Sequence, residues 1–457
     1  MKRVLTVVLT FVMILAMGIA ACTAEQDAAC DVVVIGGGGA GMTAAIKADA
    51  AGAKVILVEK EAAVGGNTKL GSSVYNAAES QLQKDAGIEG ATVDAWVEKL
   101  VKGNPANNPD VIRFLAEQSG ASADWLSSIG MDLTRLFNTF GHGPADGSAP
   151  GYPIVVAMEN ELKNRGVDYR VNAEATEILR DEAGAVCGVR VNNEYTIACK
   201  AVVVASGGFA ANNELVTEFD PRWEGLSFSC SPSATGEGTI VAMAAGAAVS
   251  NMTNVKVNPT AYYLDDQNCI SAAPFRINGC IQVSHAGVRI VNEEGAYTPN
   301  SEVIVQNGGE TYMIFDQTLV DQVAASKTYE RYFVKADTLE ELADLIDVDK
   351  EAFLATCATF TTYAQNGSDP DFGKKNFTTD LTNAPYYALL TKPAVQGTFG
   401  GITVNTAAEV LDTEGNVIPG LYAAGECADE GTMGDAPLTV NVVFGTLAGE
   451  NAAAFAK

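Results

Sequence analysis

The apolar positions change texture along the chain. Residues 31–35 (DVVVI) form a short, nearly continuous apolar run, a glycine-dense turn follows, and small and apolar residues then continue at helical spacing to Ala50. A second apolar run covers Val55–Glu59. The pattern predicts a strand (Asp31–Ile35), a turn, a helix (Gly39–Ala50) and a strand (Val55–Glu59), which is a βαβ unit. Helical periodicity follows in "ATVDAWVEKLVKGN" and "NPDVIRFLAEQSGASADWLSSIG", where Asn108 ahead of Pro109 reads as an N-cap. Strand texture returns in "VDYRVNAEATEIL", "VCGVRVNN" and "KAVVVASGG". From about Asn254 to Gln396 the segments are short and mixed, with helical stretches such as "TLEELADLIDVDKEAFLATCATFTTYAQ". The end of the chain returns to a strand ("VIPGLYAAGECADEG") and a helix of small residues ("LTVNVVFGTLAGENAAAFAK"). The expected organisation is one domain over 31–253 and 397–457 with a second domain, 254–396, inserted into it.

The first residues stand apart. Lys2 and Arg3 precede an apolar run from Val4 to Ala21, and small residues lead to Cys22, the build of an export signal. The run is also just long enough to span a bilayer. The stretch "IAAC" resembles the lipobox of bacterial lipoproteins, which implies a signal over 1–21, a lipid on Cys22 and a tether over 22–30. Cleavage after Ala20 or Ala21 is the alternative, and either route places the mature chain outside the cytoplasm. The expected location is the cell envelope, with membrane contact only through the lipid anchor.

Composition narrows the partners. The 457 residues, 47% hydrophobic, are enough for two coupled domains. The formal net charge is −27, and no basic run survives beyond the signal, so nucleic acid and anionic lipid surfaces are poor partners. Nine cysteines occur without CxxC or other metal-ligand spacing, which gives no support for zinc, iron–sulfur or c-type haem sites.

Within the βαβ unit, Gly36, Gly38 and Gly41 have GxGxxG spacing between strand and helix, and Glu59 closes the next strand. Glycines let the backbone approach a pyrophosphate, and the helix N-terminus offers N–H groups and a partial positive charge. An acid at Glu59 suits ribose hydroxyls and disfavours a 2′-phosphate. Both NAD and FAD fit this much.

The continuation "EKEAAVGGNTKLGSSVYNAA" separates them, because from here the chain resembles the flavoprotein subunit family of fumarate reductases, succinate dehydrogenases and their soluble relatives, which include urocanate reductases and 3-ketosteroid dehydrogenases. Further matching blocks are "VVVASGGFAANNE", "SATGEGTIVAMAAGA", "GVRIVNEEG", "GTFGGITVNTAAEVLDTEGNVIPGLYAAGE" and "FGTLAGE". The resemblance implies an α/β fold in which a Rossmann-like FAD-binding domain carries an inserted α+β capping domain that closes over the substrate. It implies FAD, with Gly36, Gly38, Gly39, Ala40 and Gly41 at the pyrophosphate. Glu59 and Lys60 then stand at the adenosine side and Gly66, Asn67 and Thr68 at the flavin side. Ala175, Ser206, Gly207, Glu237, Glu426 and Leu438 fall at further FAD contacts. Covalent members link FAD through a histidine near the "GGNTKL" block; none occurs there, so non-covalent FAD is expected. No second fingerprint for NAD(P)H follows.

The fumarate reductases of this family clamp a dicarboxylate with histidines and arginines, and that set is largely missing. Asn258 in "VNPT" stands where a histidine is expected, Gln396 and Gly397 replace a histidine pair, and Ala272 and Ala273 replace a threonine and a glutamate. Arg276 remains, as a holder of a carboxylate or a carbonyl. The loop "ADEGTMGDAPLT" is shortened and has no arginine. The position of the proton-donating arginine falls on Tyr297, similar to the family's ketosteroid dehydrogenases, where a tyrosine after "VNE" works as acid or base. The only histidines are His142, which corresponds loosely to a family loop beside the flavin, and His285, at an expected hairpin turn.

The resemblance thus implies an exported FAD oxidoreductase that delivers a hydride from flavin N5 to an activated C=C bond of a small unsaturated acid or enone. Tyr297 supplies the proton, and a membrane-associated or flavinylated donor supplies electrons. Two alternatives stand beside it: a dehydrogenase of a ketosteroid-like substrate, and a flavin electron carrier without catalysis.

Overall fold

The computed structural model describes residues 27–72, 74–264, 269–323, 326–432 and 434–457. Cys22 and the signal lie outside the described residues. The chain divides into two units, one over the described residues to Pro221 with Cys230–Asn254 and Gly397–Lys457, the other formed by Arg222–Ser229 and Val255–Gln396.

The first unit is built on a six-stranded sheet with the order Glu409–Leu411, Val417–Ala423, Ala201–Val204, Val32–Ile35, Val55–Val58, Asp168–Arg170. All neighbours are parallel except the first pair. The central strands are buried along their whole length, which is why the sequence shows continuous rather than alternating apolar runs. The helix Gly39–Ala50 crosses one face and packs on the C-terminal helix Pro437–Ala456. Gly445 and Gly449, one turn apart, make that approach possible, because a Cβ on them would lie 2.5 Å from Ala40 O and 2.3 Å from Ala44 O. The "FGTLAG" stretch is therefore a packing surface. The helix Pro109–Ser128 begins where expected, with the Asn108 side chain accepting from Asp110 N.

The start of the chain differs from expectation. Residues read as the end of a tether form a short strand, Ala28–Ala29, parallel to Tyr195–Ala198 at the edge of a separate four-stranded sheet. Asp27 N and Cys30 N extend the pairing to Thr196 O and Ala198 O. Two residues are too few to show a period, so the sequence carries no signal for this strand.

The second unit is a mixed α+β body. Its sheet has the order Cys269–Ser271, Val255–Tyr263, Tyr386–Thr398, Thr311–Asp316, Ile281–Val283, with Val334–Ala336 also pairing with the long strand Tyr386–Thr398. The stretch read as one helical region breaks into Leu339–Leu345 and Lys350–Asn366, since Asp349 caps the second helix through Ala352 N. The segment Arg222–Ser229, placed by sequence with the nucleotide domain, belongs here. Ser229 N donates to Val395 O and Ser227 N to the Tyr263 hydroxyl, contacts between residues far apart in the chain and thus invisible to local pattern. A buried charge network ties the unit's loops: Arg289 contacts Glu293 at 2.9 Å and Asp369 at 3.0 Å, and Lys374 lies 3.5 Å from Glu293. Two cations face two anions, so the burial is compensated, and removing one member would leave an unpaired interior charge.

Among the described residues no helix is long and apolar enough to cross a membrane.

Candidate active site

In the first unit the βαβ turn opens onto a cavity. Gly36 has φ +104, and a Cβ there would meet Ala205 O at 2.4 Å, so the turn needs glycine twice over. A Cβ on Gly41 would lie 1.9 Å from Gly36 O; this glycine seats the helix on the strand and does not line the cavity. Gly38, by contrast, faces open space, with no atom of the described residues within 4 Å of a Cβ position. No side chain caps the helix at Gly38, and Gly39 N donates to Thr68 Oγ1 at 3.0 Å. A helix N-terminus with bare backbone beside it is a seat for a pyrophosphate.

Glu59 is buried at the adjacent strand end. Its Oε2 accepts from Gly37 N at 2.6 Å and its Oε1 from Glu61 N at 2.8 Å, which leaves each oxygen a further lone pair toward the cavity. The carboxylate thus shapes the glycine turn as well as offering acceptors. Replacing it by alanine removes two charge-assisted hydrogen bonds, each worth about 1.5–3 kcal/mol. Glu59→Ala is expected to weaken FAD binding by about 10- to 100-fold, read by titrating apoprotein against FAD fluorescence.

The other cavity residues form two groups. Lys60 Nζ contacts Glu237 Oε2 at 2.8 Å and Thr235 Oγ1 at 2.5 Å, so Lys60 and Glu237 hold each other at one end. Lys60 and the Thr235 hydroxyl hold the Glu237 carboxyl below its ordinary pKa against the opposing effect of burial. Gly66, Asn67 and Thr68, in the short helix Gly66–Leu70, and Glu426 form another wall, where Asn67 Nδ2 donates to Glu426 Oε2 at 3.0 Å and Ser231 N to Asn67 Oδ1 at 2.7 Å. Ala40, Ala175, Ser206 and Gly207 line the remainder. Leu438 is not part of the lining; it is buried beside Gly71, where a Cβ would meet its Cδ2 at 3.0 Å. Asn441, which the sequence reading did not single out, does line the cavity, from the second turn of the C-terminal helix.

His142 corrects an expectation. It lies in the strand Gly141–Gly143, is buried, and is absent from the cavity wall. Its Nδ1 meets Phe140 O at 3.0 Å, which makes Nδ1 the donor and leaves Nε2 to accept from Ser80 Oγ at 2.8 Å. Burial lowers its pKa, keeping the ring neutral in that role. It braces the capping box of the helix Gln81–Asp85. His285 sits in the expected turn, with its Nε2 2.8 Å from Glu310, whose other oxygen contacts Lys392 at 2.9 Å.

The second unit holds the residues read as catalytic. Tyr297 opens the helix Tyr297–Gln306, and its ring lies beneath two cations: the Arg276 guanidinium carbon 4.4 Å and Lys256 Nζ 5.0 Å from the ring centroid. No hydrogen bond engages the Tyr297 hydroxyl among the described residues. Arg276 is 2% exposed and makes no ion pair among the described residues. One of its terminal nitrogens donates to Glu293 O at 2.5 Å and Gly295 O at 3.1 Å, while its buried Nε has no partner among the described residues. The charge network around Glu293 therefore fixes the backbone that aligns Arg276 and carries Tyr297.

Asn258, where a histidine was expected, is fully buried and already committed, with Nδ2 donating to Ser271 Oγ and Oδ1 accepting from Thr260 N. Gln396 Oε1 is buried and has no partner among the described residues.

A sequence model of the FAD binding domain family matches residues 31–442. The chain belongs to this family. It is 35% identical over 444 residues to the fumarate reductase (cytochrome) of Shewanella frigidimarina, covering 93% of this chain and 77% of that one. It is 32% identical to the urocanate reductase of Eggerthella lenta, over 93% of this chain and 75% of that one. The fold is similar to the open conformation of a flavocytochrome c3 fumarate reductase, with a TM-score of 0.84, 30% identity and coverage of 97% of this chain and 80% of that chain. FAD is the cofactor, and its donor set fits this cavity: open backbone at Gly38, a helix N-terminus and a buried acid at Glu59. The protein is an FAD-dependent oxidoreductase with the expected α/β architecture.

Proposed function

We propose that this flavoprotein reduces the activated C=C bond of a small unsaturated substrate that carries at most one carboxylate, or of an enone. The similarity to fumarate and urocanate reductases supports reduction of a conjugated alkene. The observation that carries the substrate reading is the absence of the expected histidines, with Asn258, Gln396 and Gly397 in their places, and alanines at Ala272 and Ala273 where a threonine and a glutamate are expected. None of these positions carries a side chain that could pair with a second carboxylate as a cation.

Bound FAD supplies the hydride. Tyr297 supplies the proton from its phenol hydroxyl to the neighbouring carbon, a task for which an unengaged hydroxyl is suited. Arg276, with a buried Nε to spare, polarises the substrate carbonyl or single carboxylate, lowering the cost of charge that develops as hydride adds. Glu59, Lys60 and Glu237 keep the adenosine end of the cofactor fixed, while Asn67 and Glu426 order the opposite wall.

The reading extends to location. The export signal and the cysteine at position 22 support an extracytoplasmic, lipid-anchored enzyme that takes electrons from a membrane-associated or flavinylated donor. Anaerobic holoenzyme with reduced methyl viologen tests the chemistry, followed by dye oxidation on fumarate, urocanate, cinnamates and steroid enones. The expected result is turnover on a monocarboxylate or enone at least about tenfold above fumarate, one interaction's worth of discrimination. Fumarate as the best acceptor would overturn the substrate reading. Silence across the panel with FAD bound would overturn the reductase in favour of a dehydrogenase or an electron carrier.

A further inference from the structure

Glu430 is a buried acid that the proposed reaction does not use. It is 7% exposed, in the shortened loop that follows the last parallel strand of the nucleotide unit, and no ion pair reaches it among the described residues. Its Oε1 accepts from Gly425 N at 2.7 Å. The residues on either side of Gly425, Ala424 and Glu426, both line the FAD cavity. A Cβ on Gly425 would lie 2.8 Å from the Ala40 Cβ and 3.0 Å from Asn441 Oδ1, two further cavity residues. One hydrogen bond and one peptide thus separate the Glu430 carboxyl from the wall that holds the cofactor.

We propose that Glu430 is a redox-linked proton site of the flavin, binding a proton when the bound FAD is reduced and releasing it when FAD is reoxidised. Burial raises its pKa well above the ordinary carboxylate range, and Asp429 adds to the rise, while the Gly425 N–H opposes it. The buried Cys427 thiol, pushed up to about 12 chiefly by burial, also feels the Glu430 charge. Two-electron reduction of FAD with uptake of one proton leaves one added negative charge in the cavity. At short range in a low-dielectric interior that charge disfavours a second anion behind the wall. The balance is FAD, the Glu430 carboxylate, two electrons and two protons on one side, reduced flavin with one proton and the Glu430 carboxylic acid on the other. The electrons come from the donor. The inference rests on FAD binding alone and is independent of the substrate and of Tyr297.

The test is a potentiometric titration of holoenzyme, without substrate, from pH 5 to pH 10, on the native protein and on Glu430→Gln. The amide keeps an acceptor for Gly425 N, so the loop and FAD content are retained, and melting temperature checks this. Native holoenzyme is expected to show a pH interval in which proton uptake per two electrons rises from one toward two, and Glu430→Gln is expected to stay at one there. Infrared difference spectra of reduced minus oxidised holoenzyme should show a carboxylic acid C=O band that the variant lacks. Identical pH slopes in the two proteins, or a difference band unchanged in the variant, would overturn the proposal.

Discussion

Replacing Tyr297 by phenylalanine is expected to lower alkene reduction by about 10²- to 10⁴-fold, the range a positioned general acid supplies. The substitution removes one oxygen that no other described group uses. The ring stays, and with it the approach of Arg276 at 4.4 Å and Lys256 at 5.0 Å. Stability should therefore change by no more than about 0.5 kcal/mol, as for a residue without buried polar partners. Reduction of the bound FAD by viologen should proceed at the native rate, because that half-reaction needs no proton from this phenol. The measurement pairs the two half-reactions: dye oxidation with the best acceptor, and anaerobic flavin bleaching without it. Loss confined to the first identifies the proton donor. Turnover within about threefold of native would assign the tyrosine to packing, since a tenfold loss is only 1.4 kcal/mol and a true acid contributes more.

The nucleotide half of this chain was legible because its signal is local. Strand, glycine turn, helix and acid fall within residues 31–59, and the structure gives each glycine its own reason: Gly36 for the turn, Gly38 for the open cradle, and Gly41, expected at the pyrophosphate, for seating the helix on the strand instead. The rest of the cavity wall came from a resemblance or was missed, because Ala424, Glu426 and Asn441 arrive from the far end of the chain. Leu438 came only from the resemblance, and the structure packs its side chain beside Gly71. Charged residues in the inserted unit were hardest to read. Lys374 lies in a polar stretch that looks like a solvated loop, yet it is fully buried with Glu293 and Cys280 O. Arg276 is fixed by backbone carbonyls rather than by an ion pair, an arrangement with no sequence signature. Glu430 follows the same rule, since its burial depends on a fold closed over hundreds of residues.

A pair of glycine substitutions separates folding of the nucleotide site from its use. Gly41→Ala places a Cβ 1.9 Å from Gly36 O and 3.4 Å from the Ala205 Cβ. Gly36 cannot yield, because its N–H is bound to Val58 O at 2.8 Å and Ala205 O blocks its other side. The helix Gly39–Ala50 must lift off the sheet, and with it the contact to the C-terminal helix. The expected cost is about 3 kcal/mol or more, the upper range for overpacking, with a lower melting temperature of the apoprotein and no FAD retained on gel filtration. Gly38→Ala meets no atom of the described residues within 4 Å, so the apoprotein should melt as the native one does, while the new methyl occupies the pyrophosphate seat and weakens FAD binding at least about tenfold. If both variants lost FAD with unchanged stability, Gly41 would be a ligand contact rather than a packing contact. If Gly38→Ala bound FAD normally, the pyrophosphate would have to rest elsewhere along the cavity, and the helix N-terminus would no longer explain the affinity.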